Sequence, residues 1–525
     1  MIRDGKVWLA NTKEGEPVYV LPKMANRHGL IAGATGTGKT ITLKVMAETF
    51  SDMGVPVFLA DVKGDIAGMI NPGKDSEDMQ KRIEKFGLAT QGFEYHKYPV
   101  TLWDVFGKNG IQIRTTITEM GPLLLSRILD LNENQSSILS IIFKIADESN
   151  LALIDTKDLK AMLNYVADNN KEFEADYGTL NKQSIGVIQR AVVALEMAGG
   201  DQFFGEPAID IRDWFTVGEQ GRGMIHILDS QSLINNGTLY STFLLWMLSE
   251  LFETMPEVGD LDKPKMVFFF DEAHLLFKDT PKALLEKIEQ VVKLIRSKGI
   301  GVYFVTQNPR DIPDGVLAQL GNKVQHALHA YTPSDQKAVK AAADSFRENP
   351  AFKTADVIEA LGTGEAVVSF LQEDGTPAVV EQVDILPPQS QMGGISDSER
   401  DAAIKASLLY SKYANGYDAE SAFELLARMG VEKAEAEAKA KADAEAAKAA
   451  AKEQAAAEKA AAKEAEKEAN RRKRAAKSVG TTVAGTVGRE VGKKVGKQLG
   501  GKFGQTLGGN TGAQLLRGLL NTLIK

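Results

Sequence analysis

Residues 33–40 of this chain read GATGTGKT, a glycine-rich segment with few possible folds. It fits the pattern G-x-x-x-x-G-K-[ST], follows the apolar run HGLIAG and leads into the helix-like run TITLKVMAETF. A strand, a glycine-rich loop and a helix in this order surround a phosphate group with backbone N–H donors and a helix N-terminus. The segment therefore predicts an α/β domain that binds a nucleotide, through Gly33, Ala34, Thr35, Gly36, Thr37, Gly38, Lys39 and Thr40.

The last two residues of this phosphate-binding loop have separate expected roles. We expect Lys39 to reach the β- and γ-phosphates and the Thr40 hydroxyl to be a ligand of Mg²⁺. The loop alone predicts that a nucleotide is held, and it does not say whether that nucleotide is hydrolysed.

A second run, KMVFFFDEAHLLF at 265–277, indicates hydrolysis. A buried strand that ends in adjacent acids can supply two functions at one edge of a sheet. We expect Asp271 to hold the water-coordinated Mg²⁺ and Glu272 to polarise the attacking water, because ATP hydrolysis needs both a neutralising metal and an oriented nucleophile. The alternative is that both are ordinary surface acids at a strand end.

A third run, GVYFVTQ at 301–307, ends its apolar stretch in a polar side chain. If this strand lies beside the strand of the phosphate loop, Gln307 can contact the γ-phosphate or the attacking water. A purely structural glutamine is the alternative.

Short apolar runs alternate with helical stretches through the first 375 residues, which is typical of a mainly parallel sheet covered on both faces. The interval 105–220 has helical periodicity, and it is either an insertion in the α/β domain or a small domain of its own. We predict a short β segment at 1–27, core segments at 28–104 and 221–386 on either side of that helical interval, and a helical connector at 387–430.

The C-terminal part has a different composition. Residues 431–470 contain nineteen alanines and no Leu, Ile, Phe or Met, which favours a solvated helix without a coiled-coil seam. Residues 471–525 carry twelve Lys/Arg against one acid, and small residues recur every fourth position from Gly480 to Gly508. This basic glycine-repeat tail is either a disordered segment or a helix that packs closely against another helix or lies on an anionic membrane.

Composition excludes several classes. The chain has no cysteine, so it has neither disulfides nor cysteine-based zinc sites. The N-terminus lacks the pattern of a signal peptide, and no uncharged apolar run is long enough to span a bilayer. We therefore expect a cytoplasmic protein.

Several motifs together resemble the bacterial HerA-like ATPases of the HerA/FtsK superfamily, over roughly residues 1–390. The resemblance is carried by NRHGLIAGATGTGKT, PVFLADVKGD, FFGEP, KPKMVFFFDEAHLLF, LIRSKGIGVYFVTQNPRDIP, LAQLGNKVQHALHAYTPSDQKAVKAAA and GEAVVSFL. It implies a RecA-like core, a homo-oligomer that is a hexamer, ATP and Mg²⁺ as ligands, and translocation of double-stranded DNA.

The resemblance also implies an arginine that acts on the nucleotide of a neighbouring subunit, and Arg296 occupies the matching place. A surface ion pair is the alternative role. Two positions depart from the family pattern, where Lys323 and His329 replace arginines. The segment before the phosphate loop is also too short for the complete β-barrel of archaeal relatives. The letters DEAH do not indicate a DEAH-box helicase, whose other motifs are missing, and His274 is interpreted as a helix-start residue.

Three functions are compatible with these features. The first is an ATP-driven motor on double-stranded DNA. The second is an ATPase that remodels or organises a protein or membrane partner through the C-terminal helix and tail. The third is a scaffold that binds nucleotide without hydrolysing it.

Overall fold

A single mixed sheet organises the chain in the computed structural model, which describes residues 1–233, 237–278 and 282–476. The sheet contains thirteen strands among these residues. They are β1 (Ile2–Arg3), β2 (Lys6–Thr12), β3 (Pro17–Val20), β4 (Gly29–Ala32), β5 (Val57–Asp61), β6 (Val100–Asp104), β7 (Ile111–Gln112), β8 (Ile225–Asp229), β9 (Met266–Phe270), β10 (Ile300–Thr306), β11 (Asn322–Gln325), β12 (Glu365–Ser369) and β13 (Glu381–Ile385).

The strand order is β1-β2-β13-β12-β11-β4-β10-β9-β5-β8-β6-β7, with β3 paired to β2. Every pair from β11 to β7 is parallel, and the pairs among β12, β13 and β1–β3 are antiparallel. The strand of the phosphate loop, β4, lies between β10 and β11. This arrangement confirms the predicted α/β fold with a mainly parallel sheet.

The central strands are apolar throughout because both faces of the sheet are covered. Alternate residues of β9 point to opposite faces, so that Phe268 and Phe270 belong to one hydrophobic core while Val267 and Phe269 belong to the other. All five residues of β9 are buried. The two-sided core holds the carboxyl ends of the parallel strands in fixed register.

Helices cover both faces of the sheet. Those of the first 430 residues are α1 (Lys39–Asp52), α2 (Glu77–Lys85), α3 (Ile117–Ile128), α4 (Glu133–Glu148), α5 (Thr156–Asp168), α6 (Asn170–Tyr177), α7 (Lys182–Met197), α8 (Gly237–Thr254), α9 (His274–Phe277), α10 (Lys282–Ile295), α11 (Asp314–Leu317), α12 (Pro333–Asp344), α13 (Thr354–Ala360), α14 (Asp397–Ala406) and α15 (Tyr410–Tyr413). The helices α3–α7 lie in the interval 105–220, between β7 and β8, and their apolar side chains join the core on one face of the sheet.

The C-terminal helix α16 (Ala422–Ala476) begins before the alanine-rich segment and includes it. By contact density the chain divides into two units, Met1–Gly430 and Val431–Lys525. In the second unit, each side chain that is described between positions 431 and 468 is exposed, as expected for a helix without an apolar stripe. The predicted glycine-repeat tail lies outside the described residues, apart from the helical positions 471–476.

Three strands of the sheet, β6, β7 and β13, were not among the predicted apolar runs. Strand β6 contains a threonine and an aspartate and runs VTLWD. Strand β13 runs EQVDI, and after Glu381 its polar Gln382 and Asp384 alternate with the apolar Val383 and Ile385. Strand β13 pairs only with antiparallel neighbours, where one face can be polar, so a search for continuous apolar runs misses it.

Candidate functional site

Backbone hydrogen bonds join the phosphate loop to the segments on either side of β4. The Gly33 N–H donates to the Thr306 carbonyl of β10 at 3.3 Å, and the Ala34 N–H donates to the Ala327 carbonyl at 2.8 Å. Helix α1 begins at Lys39, directly after the loop. The loop residues from Gly33 to Thr40 therefore lie together at the carboxyl edge of the sheet.

Three glycines give the loop its conformation. The φ angles are 153° at Gly33, 79° at Gly36 and 113° at Gly38, a region that L side chains rarely adopt. A Cβ on Gly33 would lie 2.5 Å from the Cβ of His326, whereas one on Gly36 would meet no atom within 4 Å. The loop is thus tightly packed on its inner side and open on its outer side, which fits an anion bound by backbone N–H groups.

The Lys39 ammonium lies inside this curve of backbone. It donates to the Gly33 carbonyl at 2.6 Å and to the Ala34 carbonyl at 2.9 Å. Burial lowers its pKa, the positive charge of Lys63 adds to that effect, and the negative charges of Asp271 and Glu272 oppose it. The phosphate loop and the two acids of β9 therefore belong to one electrostatic environment.

Asp271 follows the last residue of β9 and is buried. Its Oδ1 accepts a hydrogen bond from the Glu272 N–H at 2.9 Å, and its carbonyl accepts one from the Tyr240 hydroxyl at 2.8 Å. Burial, and secondly the charge of Glu272, raise the pKa of Asp271 to about 6. A carboxylate in such surroundings is stabilised by a nearby cation.

Glu272 has a left-handed backbone conformation with a φ of 49°, which is uncommon for a side chain of this kind. Its Oε1 and Oε2 lie 3.3 and 3.4 Å from the Gln307 Nε2 donor. The Nδ1 atom of His274 lies 3.3 Å from the same carboxylate. The structure thus brings Glu272 and Gln307 together, and it places His274 at the start of α9 and in contact with Glu272.

The oxygen donors available here fit a magnesium ion. Thr40, in the first turn of α1, supplies a hydroxyl, and Asp271 supplies a carboxylate. Mg²⁺ is usually held by one or two protein oxygens together with phosphate oxygens and waters, so a cage of three acids is not needed. Within the described residues no group of three or more His, Cys, Asp or Glu side chains forms such a cage.

Arg296 is the one predicted site residue that lies elsewhere. It is exposed in the short 3-10 turn Arg296–Lys298, which precedes β10, whereas Gln307 follows the other end of that strand. Seven residues of extended chain separate the two edges by roughly 20 Å. Within one protomer, Arg296 does not meet the phosphate loop.

His326 contacts the start of α1 and was not among the predicted site residues. Its Nδ1 donates to the Glu365 carbonyl at 2.8 Å, and its Nε2 lies 2.8 Å from the Thr42 hydroxyl of α1. Burial lowers its pKa to about 4, so the ring is neutral and Nε2 accepts from Thr42. It fixes the start of α1 against β11 and β12. The signal in the sequence was the position of His326 inside KVQHALH, a run predicted to be a buried strand.

A cavity of about 270 Å³ opens beside the loop, and its walls include Gly36, Lys39, Thr40, Lys44, Lys63 and Thr363. Lys44 is buried and donates to the Gln391 carbonyl at 2.5 Å.

The two positions that depart from the family pattern lie apart from the groups that line this cavity. Lys323 donates to the Ser345 carbonyl, and His329 is exposed beside Tyr331. Among the helices that the structure describes, none is both long and apolar enough to cross a bilayer.

Two solved structures resemble this chain in outline. VirB4 of Thermoanaerobacter pseudethanolicus is 15% identical, with a TM-score of 0.46 over 73% of this chain and 97% of that chain. The plasmid coupling protein TrwB in complex with ADP and Mg²⁺ is also 15% identical, with a TM-score of 0.47 over 73% and 89% of the two chains.

Two curated relatives are named DNA double-strand break repair helicase HerA. The protein of Sulfolobus acidocaldarius is 22% identical over 370 residues, which cover 70% of this chain and 66% of the relative. That of Sulfurisphaera tokodaii is 24% identical over 354 residues, which cover 65% and 62% of the two chains. The matches thus span slightly less than two thirds of these relatives' length. The family model described as "Helicase HerA-like C-terminal" matches residues 6–511. The chain belongs to the HerA-like helicase C-terminal family.

Proposed function

We propose that this chain is a Mg²⁺-dependent ATPase that hydrolyses ATP to ADP and phosphate and works as a ring-forming motor on double-stranded DNA. The observation that carries the catalytic part is the convergence of the Gly33–Thr40 loop with Asp271, Glu272 and Gln307 at one edge of the sheet. A loop that only holds a nucleotide needs neither the second acid nor the amide beside it.

Each of these side chains has a chemical role in the proposal. Lys39 binds the β- and γ-phosphates, and Thr40 and Asp271 hold Mg²⁺ with its water shell. Bound Mg²⁺ supplies positive charge that neutralises the phosphate oxygens in the transition state. Glu272 orients and polarises the attacking water, and the Gln307 amide, which now lies at the Glu272 carboxylate, is placed to donate to that water or to the γ-phosphate.

The proposed ring explains the position of Arg296. An arginine that lies at the far edge of its own protomer can contact a nucleotide only when a second subunit presents it. We propose that homo-oligomers, hexamers by resemblance to the family, place Arg296 against the γ-phosphate of the adjacent subunit. An arginine of this kind can accelerate phosphoryl transfer by about 10³-fold or more.

Double-stranded DNA is proposed as the substrate on the strength of the relatives, which are named DNA double-strand break repair helicases. The overall net charge of −8 does not oppose this, because a ring can confine positive charge to its pore. The test is phosphate release by purified protein with and without duplex DNA, over a range of salt concentrations, with the oligomer mass measured in nucleotide.

We expect DNA to stimulate hydrolysis and the stimulation to fall as salt rises. Lys39→Ala removes hydrolysis, and Lys144→Ala, an exposed lysine on α4, is the matched control. Turnover that is independent of DNA at low salt, without DNA binding, contradicts the motor while leaving the ATPase intact. Absence of phosphate release from wild type contradicts the ATPase itself.

A second function has its own observation in favour. The described side chains between 431 and 468 are exposed on a helix, and basic residues follow that segment in the sequence. We propose as the alternative that this part connects the ATPase to a protein or an anionic membrane. Deleting residues 431–525 should then abolish binding to partners or to anionic vesicles while basal hydrolysis persists. Unchanged binding after the deletion contradicts this alternative.

A further inference from the structure

The motif ADVKGD at 60–65 has no role in the mechanism above, although it lies at the site. Strand β5 ends at Asp61 and is the parallel neighbour of β9, which ends beside Asp271. Lys63, two residues beyond the end of β5, therefore reaches the same edge of the sheet as the acids of β9. It lines the cavity that contains Lys39 and Thr40.

The backbone around Lys63 is held in place by the residues on either side of it. The buried Asp61 carboxylate accepts hydrogen bonds from the Gly64 N–H at 2.7 Å and the Ile66 N–H at 3.0 Å. Gly64 has a φ of 73°, and a Cβ there would lie 2.1 Å from the Gln231 Nε2 atom. These contacts hold the backbone on the C-terminal side of Lys63 against Asp61 and Gln231.

The charges around Lys63 favour an anionic ligand. The side chain is exposed, and none of the ion pairs between described residues includes it. Its charge acts on both Lys39 and Asp271, so it lies near the groups expected to hold the β/γ-phosphates and Mg²⁺. Lys39, Lys44 and Lys63 line this cavity together with a single carboxylate, that of Asp65. The lysine charges therefore outnumber the acid there, and their mutual repulsion is relieved when an anion with several negative charges lies between them.

We propose that Lys63 is a second phosphate-binding lysine, which contacts the terminal phosphate of the nucleotide from within the same protomer. The proposal rests on the nucleotide site proposed above and adds a residue to it. Lys39 approaches the phosphates from the loop that cradles them, and Lys63 approaches from the strand beside the metal-binding acid. A lysine in this place distinguishes a triphosphate from a diphosphate, because only the triphosphate carries the group that it contacts.

The test is the ratio of affinities for two probes, Mg²⁺–ATPγS and Mg²⁺–ADP, measured on the full chain with wild type, Lys63→Ala, Lys63→Arg and Lys39→Ala. We expect Lys63→Ala to weaken ATPγS binding about tenfold or more and to change ADP binding less than twofold. Lys63→Arg should keep most of the ATPγS affinity, because it keeps the charge. Lys39→Ala should weaken both, and Lys337→Ala, exposed on α12, should weaken neither.

Equal loss of both ligands in Lys63→Ala overturns the proposal, as does unchanged affinity for ATPγS. A thermal unfolding curve for each variant identifies a general loss of structure, which would lower both affinities together. Binding of ATPγS requires neither hydrolysis nor DNA. Failure of the motor proposal therefore leaves this test intact, whereas a wild-type chain that binds neither probe contradicts the nucleotide site itself.

Discussion

The two edges of the parallel sheet differ in how their polar groups are used. At the carboxyl edge, Lys39, Asp271 and Glu272 share one environment, in which the pKa of Lys39 is lowered and that of Asp271 is raised. Glu272 has an uncommon backbone angle there. At the amino edge, the buried His28 accepts a hydrogen bond from the Val302 N–H at 3.0 Å, and burial lowers its pKa to about 4. His28 is therefore a neutral, buried side chain of the interior, whereas Arg296 beside it is exposed to solvent.

This difference shows why one protomer holds only part of the proposed site. Parallel strands bring their carboxyl ends to one edge of the sheet, so strand direction alone brings together the residues that follow β4, β9 and β10. A residue that precedes β10 is directed to the opposite edge. The groups of the carboxyl edge are therefore expected to act within a protomer, and Arg296 is expected to act only between protomers.

Among substitutions at the carboxyl edge that retain ATP binding, Glu272→Gln should lower the rate of hydrolysis most. It removes the group proposed to polarise water and should lower hydrolysis by about 10³-fold, while ATP binding stays within a few-fold of wild type. Single-turnover phosphate release and ATP affinity are the measurements, with Glu148→Gln on α4 as the control. If wild type releases phosphate and Glu272→Gln does not, a scaffold that binds nucleotide without hydrolysing it is also excluded. An unchanged rate would remove Glu272 from the chemistry.

At the amino edge, Arg296→Ala should lower the rate constant of hydrolysis by about 10³-fold without loss of ATP binding. The expected cause is loss of charge stabilisation in the neighbouring subunit. Mixing this variant with Lys39→Ala should restore part of the activity, because Lys39→Ala subunits still present Arg296. Lys293→Ala, on the same surface one turn earlier, should have no effect. If mixing restores nothing, the two edges do not meet between subunits.

Gln307→Ala should have a smaller effect, about tenfold on the rate constant of hydrolysis. The change removes the donor that lies 3.3 Å from Glu272 and leaves the carboxylate itself in place. Steady-state kinetics should show the loss in kcat with little change in KM. Gln319→Ala, in the turn after α11, is the control. A loss confined to KM would assign Gln307 to nucleotide binding instead.

The smallest effect concerns stability rather than activity. Because the pKa of Asp271 is raised from 3.8 to about 6, folding favours the protonated carboxyl, and this contribution is lost as pH rises through about 6. Without nucleotide or Mg²⁺, Asp271→Asn should therefore be more stable than wild type at pH 7.5, by about 2–3 kcal/mol, and nearly equal to it at pH 4.

Denaturant unfolding of both proteins at these two pH values measures the difference, and Asp344→Asn, exposed at the end of α12, should show no such pH dependence. A gap of the same size at both pH values would mean that the ionisation of Asp271 is not its cause.

Much of the carboxyl edge was predictable because its signals are local. The glycine loop, the Asp271–Glu272 pair and the terminal Gln307 each end a recognisable apolar run, and the rule for parallel strands brings them together. His326 and Lys63 were not predicted as site residues. His326 reaches the site because β11 pairs with β4, and Lys63 reaches it because β5 pairs with β9. The order of strands in a sheet cannot be predicted from local sequence patterns. Strand β13 was missed because its alternating polar residues suit an antiparallel neighbour.

Local sequence patterns were enough to predict the phosphate loop, the buried parallel strands, the acid pair at the end of β9 and the helix of the alanine-rich segment. Each follows from contacts between residues close in the chain, where backbone conformation and side-chain period decide the outcome. Local patterns leave open which strands are neighbours, which lysines share the cavity with Lys39, and at which edge of the sheet Arg296 lies. Those facts depend on how two hydrophobic cores pack against one sheet, and packing between distant segments has no counterpart in local sequence.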